Sequence, residues 1–311
     1  MKRALSLYLK GAGMGAADAV PGVSGGTIAF VTGIYEELIH TIKCFGPEAV
    51  GVWREGGLPR LYEFLNIGFL VPLMLGILTS LITVAHVVTW LMDAYPLLLN
   101  AFFFGLVLAS AFVVARRLTH WHVAHLVPLV LGGILAWYLP NLLPAGNSSG
   151  WMLFFAGAIA ISAMLLPGVS GSFLLLTMGM YGTVMSGIKG FDLVLIVKFA
   201  LGCLVGLFTF SRLLSWLFRH HHAMTLQLLI GFILGSLPTL WPWKTLTAYR
   251  LSDKGEKIPL DHQLLMPEHY SALTGEPSHL AMSLVLMVIG MGLVILLGER
   301  NAPSSAETTT R

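Results

Sequence analysis

Charge is scarce in this chain: Asp, Glu, Lys and Arg make up 11% of its 311 residues, while 56% are hydrophobic. Soluble domains carry about 25% charged residues, so a soluble globular fold is excluded. Cysteine is scarcer still, with Cys44 in an expected loop and Cys203 in an expected span. Two cysteines without metal-ligand spacing supply neither a disulfide framework nor a thiolate metal site. Catalytic signatures are missing as well. There is no nucleophile triad, no pair of catalytic carboxylates and no nucleotide loop, and the G-x-G pieces lack the strand context such a loop requires. Histidine is clustered in "HWHVAH" (120–125) and "HHH" (220–222), but beside arginines in short loops, where it extends a basic surface toward anionic headgroups. No catalytic residue, metal, cofactor or nucleic-acid partner is expected.

Long apolar runs are abundant. A hydrocarbon core of about 30 Å needs roughly 20 apolar helical residues, and such runs occupy 65–91, 97–115, 124–143, 193–218, 224–241 and 280–298. The chain therefore reads as an all-α polytopic membrane protein with six full spans. The start resembles a signal peptide, but Lys10 ends its apolar stretch after "ALSLYL", which argues against cleavage. The tail over 299–311 is polar and expected to be disordered. Two further apolar regions, 4–40 and 151–187, are interrupted by "VPGVSGG" (20–26) and "LPGVSGS" (166–172).

These interruptions are copies. Pro21, Gly22, Val23, Ser24 and Gly25 recur 146 positions later as Pro167, Gly168, Val169, Ser170 and Gly171, followed by Gly33 on Gly179 and Tyr35 on Tyr181. Further on the offset is 126, with "LGIL" (75–78) on "LGCL" (201–204) and "GLVLAS" (105–110) on "GFILGS" (231–236). The chain divides into related halves, 1–145 and 146–311, each a broken region followed by three spans. If each broken region is a re-entrant hairpin, each half crosses the membrane an odd number of times and the second half is inverted. Full crossing by the broken regions would instead make the halves parallel. Charge favours inversion. Eleven Lys and Arg fall on the N-terminal side (Lys2, Arg3, Lys10, Lys43, Arg54, Arg60, Arg116, Arg117, Arg219, Arg300, Arg311) against five opposite (Lys189, Lys244, Arg250, Lys254, Lys257). The positive-inside rule then makes both termini cytoplasmic. The polar 242–279 segment becomes the main extracytoplasmic loop, entered through "WPW" (241–243) as an interfacial aromatic anchor.

Pro removes a backbone donor, and Gly adopts conformations closed to other residues, so the helix stops at each motif and restarts. A restarted helix offers free N–H groups and a positive dipole end, a combination that suits an anion. Ser24, Gly25, Gly26 and Thr27 form one such tip, Ser170, Gly171 and Ser172 the other. Irregular backbone at membrane depth must be buried in protein or line a cavity, so the two tips are expected to meet near the midplane. The plainer alternative is that their small residues only pack helices closely. Ionisable residues in spans are costly and usually functional. Arg212 is the expected phosphate-binding cation, for its planar fork gives bidentate charged hydrogen bonds, and the 126 offset pairs it with His86. Lys198 is the other intramembrane cation, near enough to a helix end to snorkel outward. Asp18, Glu36 and Glu37 are expected to couple protons or to partner Arg212, with helix capping the plainer reading of Asp18 and interfacial exposure that of Glu36 and Glu37.

At these residues the chain resembles the polyprenyl-phosphate transporter family, once catalogued as a domain of unknown function. The resemblance rests on "GAADAVPGVSGGTIAFVTGIYEELI" (15–39), "LLPGVSGSFLLLTMGMYG" (165–182) and "FSRLLSWLF" (210–218). It implies a flippase that returns undecaprenyl phosphate from the outer to the inner leaflet of a bacterial cytoplasmic membrane for carrier-lipid recycling in cell-wall synthesis. It carries over Asp18, Pro21, Gly22, Ser24, Gly25, Gly26, Thr27, Tyr35 and Glu36, then Pro167, Gly168, Ser170, Gly171, Ser172 and Tyr181, and Arg212. Glu37 departs from the family pattern. The rival readings are a carrier of a small soluble anion, a lipid phosphatase or transferase, and a scaffold. Membrane lipids are expected partners, and a homo-oligomer stays open.

Overall fold

The computed structural model describes residues 2–18, 23–116, 118, 126–142, 150–251 and 257–299. Pro21, Gly22, the 120–125 histidines and the polar tail from 300 lie outside the described residues. The protein is predominantly helical. The first broken region forms α1 (Lys2–Asp18), α2 (Gly25–Val31) and α3 (Tyr35–Cys44), and the second forms α8 (Gly150–Leu165), α9 (Gly171–Thr177) and α10 (Tyr181–Lys189). Between and after them run α4 (Glu48–Phe64), α5 (Ile67–Ala94), α6 (Pro96–Ala115), α7 (Leu126–Leu142), α11 (Leu193–His220), α12 (His222–Ser236), α13 (Pro267–Thr274) and α14 (Leu280–Glu299).

Among the described residues four helical stretches, Ile67–Met92, Pro96–Ala115, Leu193–His220 and His222–Leu240, are long and apolar enough to cross a membrane. Two of the six expected spans, 124–143 and 280–298, appear as shorter apolar helices, Leu126–Tyr138 and Leu280–Leu296. Helices α9 and α10 meet at 107°. The chain start and α3 lie together, with Arg3 Nη2 2.8 Å from Glu37 Oε1.

Packing follows small residues, as it must where lipid and protein are equally apolar. Helix α1 packs on α5 and α8 on α11, while α6 packs on α14 and α7 on α12. Neighbours 126 positions apart make the same approach. Gly76 lies against the Tyr8 carbonyl and Gly202 against that of Phe154, so a Cβ at either would overlap an oxygen. Gly105 meets Met287 in the same way, and Gly231 meets Leu129.

Two elements depart from the expected plan. Residues 48–64, left unassigned between the first broken region and the first expected span, form α4, a helix with no buried residue that is kinked at Gly57 (φ 63°) two positions before Pro59. The 242–279 segment contains an antiparallel hairpin, β1 (Lys244–Leu251) with β2 (Lys257–Leu264), which adds β structure to the expected all-α fold. The tryptophans of "WPW" fasten this hairpin. Trp241 Nε1 donates to Leu265 O at 2.9 Å and Trp243 Nε1 to Ser278 O at 2.8 Å, with Trp243 buried. Trp243→Ala removes that packing and hydrogen bond together, a loss of roughly 3–5 kcal/mol at a buried Trp. The expected outcome is proteolytic nicking between residues 244 and 264 with the spans intact, read by limited proteolysis and mass spectrometry.

Candidate functional site: the meeting of two broken helices

Each motif starts a helix in the same way. Ser24 is extended (φ −125°, ψ 134°) and its hydroxyl accepts from Gly26 N at 3.1 Å; Ser170 (φ −98°, ψ 118°) accepts from Phe173 N at 3.4 Å. These are ordinary serine N-caps. The helices they open have seven residues each, so what a ligand would meet is the local N–H groups of the first turn rather than a long macrodipole.

The tips touch. Gly168 N donates to Thr27 Oγ1 at 2.9 Å, and Tyr35 Oη donates to Leu165 O at 2.6 Å. Two longer contacts run from Ser24 Oγ to Met164 O (3.5 Å) and Leu166 O (3.4 Å). Gly168 has φ +83°, and a Cβ there would lie 2.7 Å from Ser236 Oγ, so glycine serves both the turn and the close approach. Thr27 is fully buried and Tyr35 nearly so, stacked edge-on between Phe30 and Phe218.

The two tips differ in what they leave open. At the first, Asp18 Oδ1 accepts from Gly25 N at 2.6 Å, and Ser24, Gly25, Gly26 and Thr27 are all buried. A carboxylate of the chain itself already occupies the position where an anion would bind. This is the capping role expected of Asp18. At the second tip, Ser170 and Ser172 hold their hydroxyls 3.0 Å apart, with Ser172 exposed, while Gly171 is buried against the Ala160 carbonyl. Pro167 is buried behind it and Tyr181 opens α10, partly buried in a cluster with Met178, Met180 and Val184.

The remaining expected residues lie elsewhere. The Arg212 guanidinium reaches Glu48 Oε2 at 3.3 Å and, along its own helix, Phe208 O at 3.4 Å. It rests on Gly46 at the corner between α3 and α4. The expected neutralising contact at the tips is therefore replaced by an ion pair, because α4, absent from the sequence reading, brings an acid to it. The backbone amide of Glu48 itself, and then the Arg212 charge, hold this carboxyl below its ordinary range against some desolvation, so the pair is intact at neutral pH. Glu36 pairs with His222 Nε2 at 3.1 Å, and Glu37 with Arg3 and with Asn66 Nδ2 at 3.0 Å, both at the face that carries the chain start. His86 is exposed on α5, its Nδ1 3.0 Å from Ile82 O one turn back, and Lys198 is exposed on α11. The 126 offset relates His86 to Arg212 in sequence without bringing either to the tips.

Lys10 has no local role in the sequence reading beyond ending the first apolar stretch and counting toward the N-terminal side. It lies partly buried in α1, and its Nζ donates at 2.9 Å to the carbonyl of Thr32, the C-cap of α2. A cation at a helix C-terminus is favourable. The signal was present, as a lysine interrupting an otherwise apolar helix. A half-open cavity of about 480 Å³ lies beside the Arg212 pair, lined by His40, Lys43, Cys44, Glu48, Glu63 and Phe64. Among the described residues no three His, Cys, Asp or Glu side chains converge as a metal site would require.

Comparison with known proteins bears on this arrangement. A family model described as "VCA0040-like: Undecaprenyl phosphate translocase-like" matches residues 14–258, which include both motifs and Arg212. A protein of Vibrio cholerae serotype O1 named polyprenyl-phosphate transporter is 43% identical over 292 residues, covering 94% of this chain and 95% of that one. One of the same name from Staphylococcus aureus is 34% identical over 256 residues, covering 75% and 85%. No solved structure matches the chain. With most of its length matched, and with the paired interrupted helices inside the matched region, the chain belongs to the VCA0040-like, undecaprenyl phosphate translocase-like family.

Proposed function

We propose that this protein moves a polyprenyl phosphate of the undecaprenyl class from the outer to the inner leaflet of a bacterial cytoplasmic membrane, with both termini cytoplasmic. The phosphate crosses at the junction of the two interrupted helices. The observation that carries this reading is the hydrogen bond between Gly168 N and Thr27 Oγ1, which joins segments 141 positions apart. The relatives' shared name supplies the lipid, and the matching glycine contacts at 76 and 202 support two structurally related halves.

On this reading Ser170 and Ser172, with Gly171 between them, meet the headgroup first, because the two serine hydroxyls are the accessible ones. Ser24, Gly25, Gly26 and Thr27 follow once Asp18 withdraws from Gly25 N. Exchange of a resident carboxylate for a phosphate keeps the N–H group satisfied at each stage, which matters where an orphaned donor costs roughly 1–3 kcal/mol. The tail stays in lipid through a lateral opening between the halves, and alternating access comes from rocking one against the other. Arg212 receives the headgroup at the N-terminal face.

Proteoliposomes carrying labelled undecaprenyl phosphate test the assignment. The label is expected to pass from one leaflet to the other without release of inorganic phosphate. Release would make the protein a phosphatase, and movement of inorganic phosphate alone would make it a carrier of soluble anions.

A further inference from the structure

The ion pair between Arg212 and Glu48 is poorly made for a structural bond. Charged N–H···O contacts settle at about 2.7–2.9 Å and arginine prefers to bind with both prongs, yet this one is 3.3 Å with a single nitrogen. The other described bond of the guanidinium is a long one, 3.4 Å to Phe208 O. The Glu48 side chain is 63% exposed, against 34% for Arg212, so the acid can swing into water while the arginine stays in place. Gly46 lets both side-chain ends lie close to the backbone at this corner, where a Cβ would displace Arg212 Nη2 and Glu48 Oε2.

The cavity next to it continues the site. His40, Lys43 and Cys44 stand at i, i+3 and i+4 on α3, one face of one helix. The same helix begins at Tyr35, whose hydroxyl holds the Leu165 carbonyl of the second tip. Nine steps of about 1.5 Å lead from Tyr35 to Cys44, so the helix runs about 13.5 Å from the tip junction to the cavity. Its volume of about 480 Å³ falls within the roughly 300–1,000 Å³ of small-molecule sites. Lining it are the cation Lys43, the imidazole of His40 and the acids Glu48 and Glu63, and Arg212 adjoins it through its pair with Glu48.

We propose that this cavity is a second phosphate station, used as the headgroup leaves the tips, and that Glu48 is its displaceable occupant. A phosphate monoester takes both prongs of Arg212 and the Lys43 ammonium, and Glu48 turns to solvent. The station rests on the transport reading above and adds to it an exit site, a competitor for that site, and Lys43 as a ligand. A weak exposed pair suits the task, because a strong one would hold the arginine against its ligand.

The test uses the full chain, purified, carrying Ser170→Ala and Ser172→Ala so that the tip is disabled. Equilibrium binding of a short-chain prenyl monophosphate is measured, with inorganic phosphate and the matching prenyl alcohol as separate arms. Adding Glu48→Gln is expected to tighten prenyl monophosphate binding about two- to fivefold, and adding Lys43→Gln to weaken it about three- to tenfold. Size-exclusion profiles identical to that of the parent check the fold of both variants. If the same pattern appears with inorganic phosphate, the station reads the free ion as well as the headgroup; if it appears with the prenyl monophosphate alone, the lipid is the source. An unchanged affinity in both variants, or equal binding of the alcohol, overturns the station. Transport by the wild-type chain is a separate readout, so failure of the station and failure of the transport assignment are told apart.

Discussion

Gly290→Val is expected to leave little folded protein, whereas Gly292→Val, two residues along the same helix, is expected to be silent. A Cβ at Gly290 would overlap the Phe102 carbonyl oxygen and lie 3.0 Å from Leu106 N, so α14 could not keep its place on α6. The obstacle is backbone, which cannot rotate aside. Gly105 faces Met287 across the same seam, so the two helices approach through a glycine from each side. Ordinary overpacking costs about 1–3 kcal/mol, and separating two helix backbones exceeds it because every contact along the seam weakens together. Among the described residues outside its own helical turn, no heavy atom lies within 4 Å of a Cβ at Gly292. Its substitution adds an apolar group at an open position, and changes of that kind stay within about 0.5 kcal/mol. The fraction of monodisperse protein on size exclusion and its thermal midpoint in detergent separate the two variants. Equal behaviour would mean that α6 and α14 do not pack as described.

Thr27→Val is expected to lower transport at least about tenfold while Thr27→Ser keeps most of it. Valine matches threonine in shape but lacks the oxygen that accepts from Gly168 N. The hydroxyl is fully buried, so no water replaces it. An orphaned buried donor costs roughly 1–3 kcal/mol, and a loss of about 1.4 kcal/mol at the junction already corresponds to a factor of ten. Serine retains the acceptor and gives up one methyl. Leaflet-resolved transport rates, compared at equal amounts of folded protein, decide the matter. A valine variant as active as the serine variant would show that the bond is incidental.

The breaks were legible because Pro, Gly and Ser stop a helix by local chemistry, and repetition of the motif marked them as a pair. The contact between the tips could also be anticipated, since irregular backbone at membrane depth needs protein around it. Helix partners were not legible. In α6 and α14 apolar residues line the lipid and protein faces alike, so no stripe announces which side packs. Arg212 was recognisable as a costly residue but its partner was not, because 48–64 combines charges with Gly56, Gly57 and Pro59 and carries no apolar run to announce a helix. His86 shows the limit of an internal offset, which relates positions along the chain without saying which way a side chain points. Asp18 carried the readings of capping, proton coupling and pairing with Arg212, and its bond to Gly25 N supports the first.

The central claim is that the phosphate crosses on the paired tips, and the Ser170→Ala, Ser172→Ala double variant tests it most directly. These hydroxyls are the open ones, and neither reaches across to the first tip among the described contacts. The initial rate of leaflet-resolved undecaprenyl phosphate movement in proteoliposomes is predicted to fall at least about tenfold, the loss of two hydrogen bonds to a charged group at about 1.5 kcal/mol or more each, with helical content and detergent stability unchanged. A double variant that transports at the wild-type rate would contradict the account.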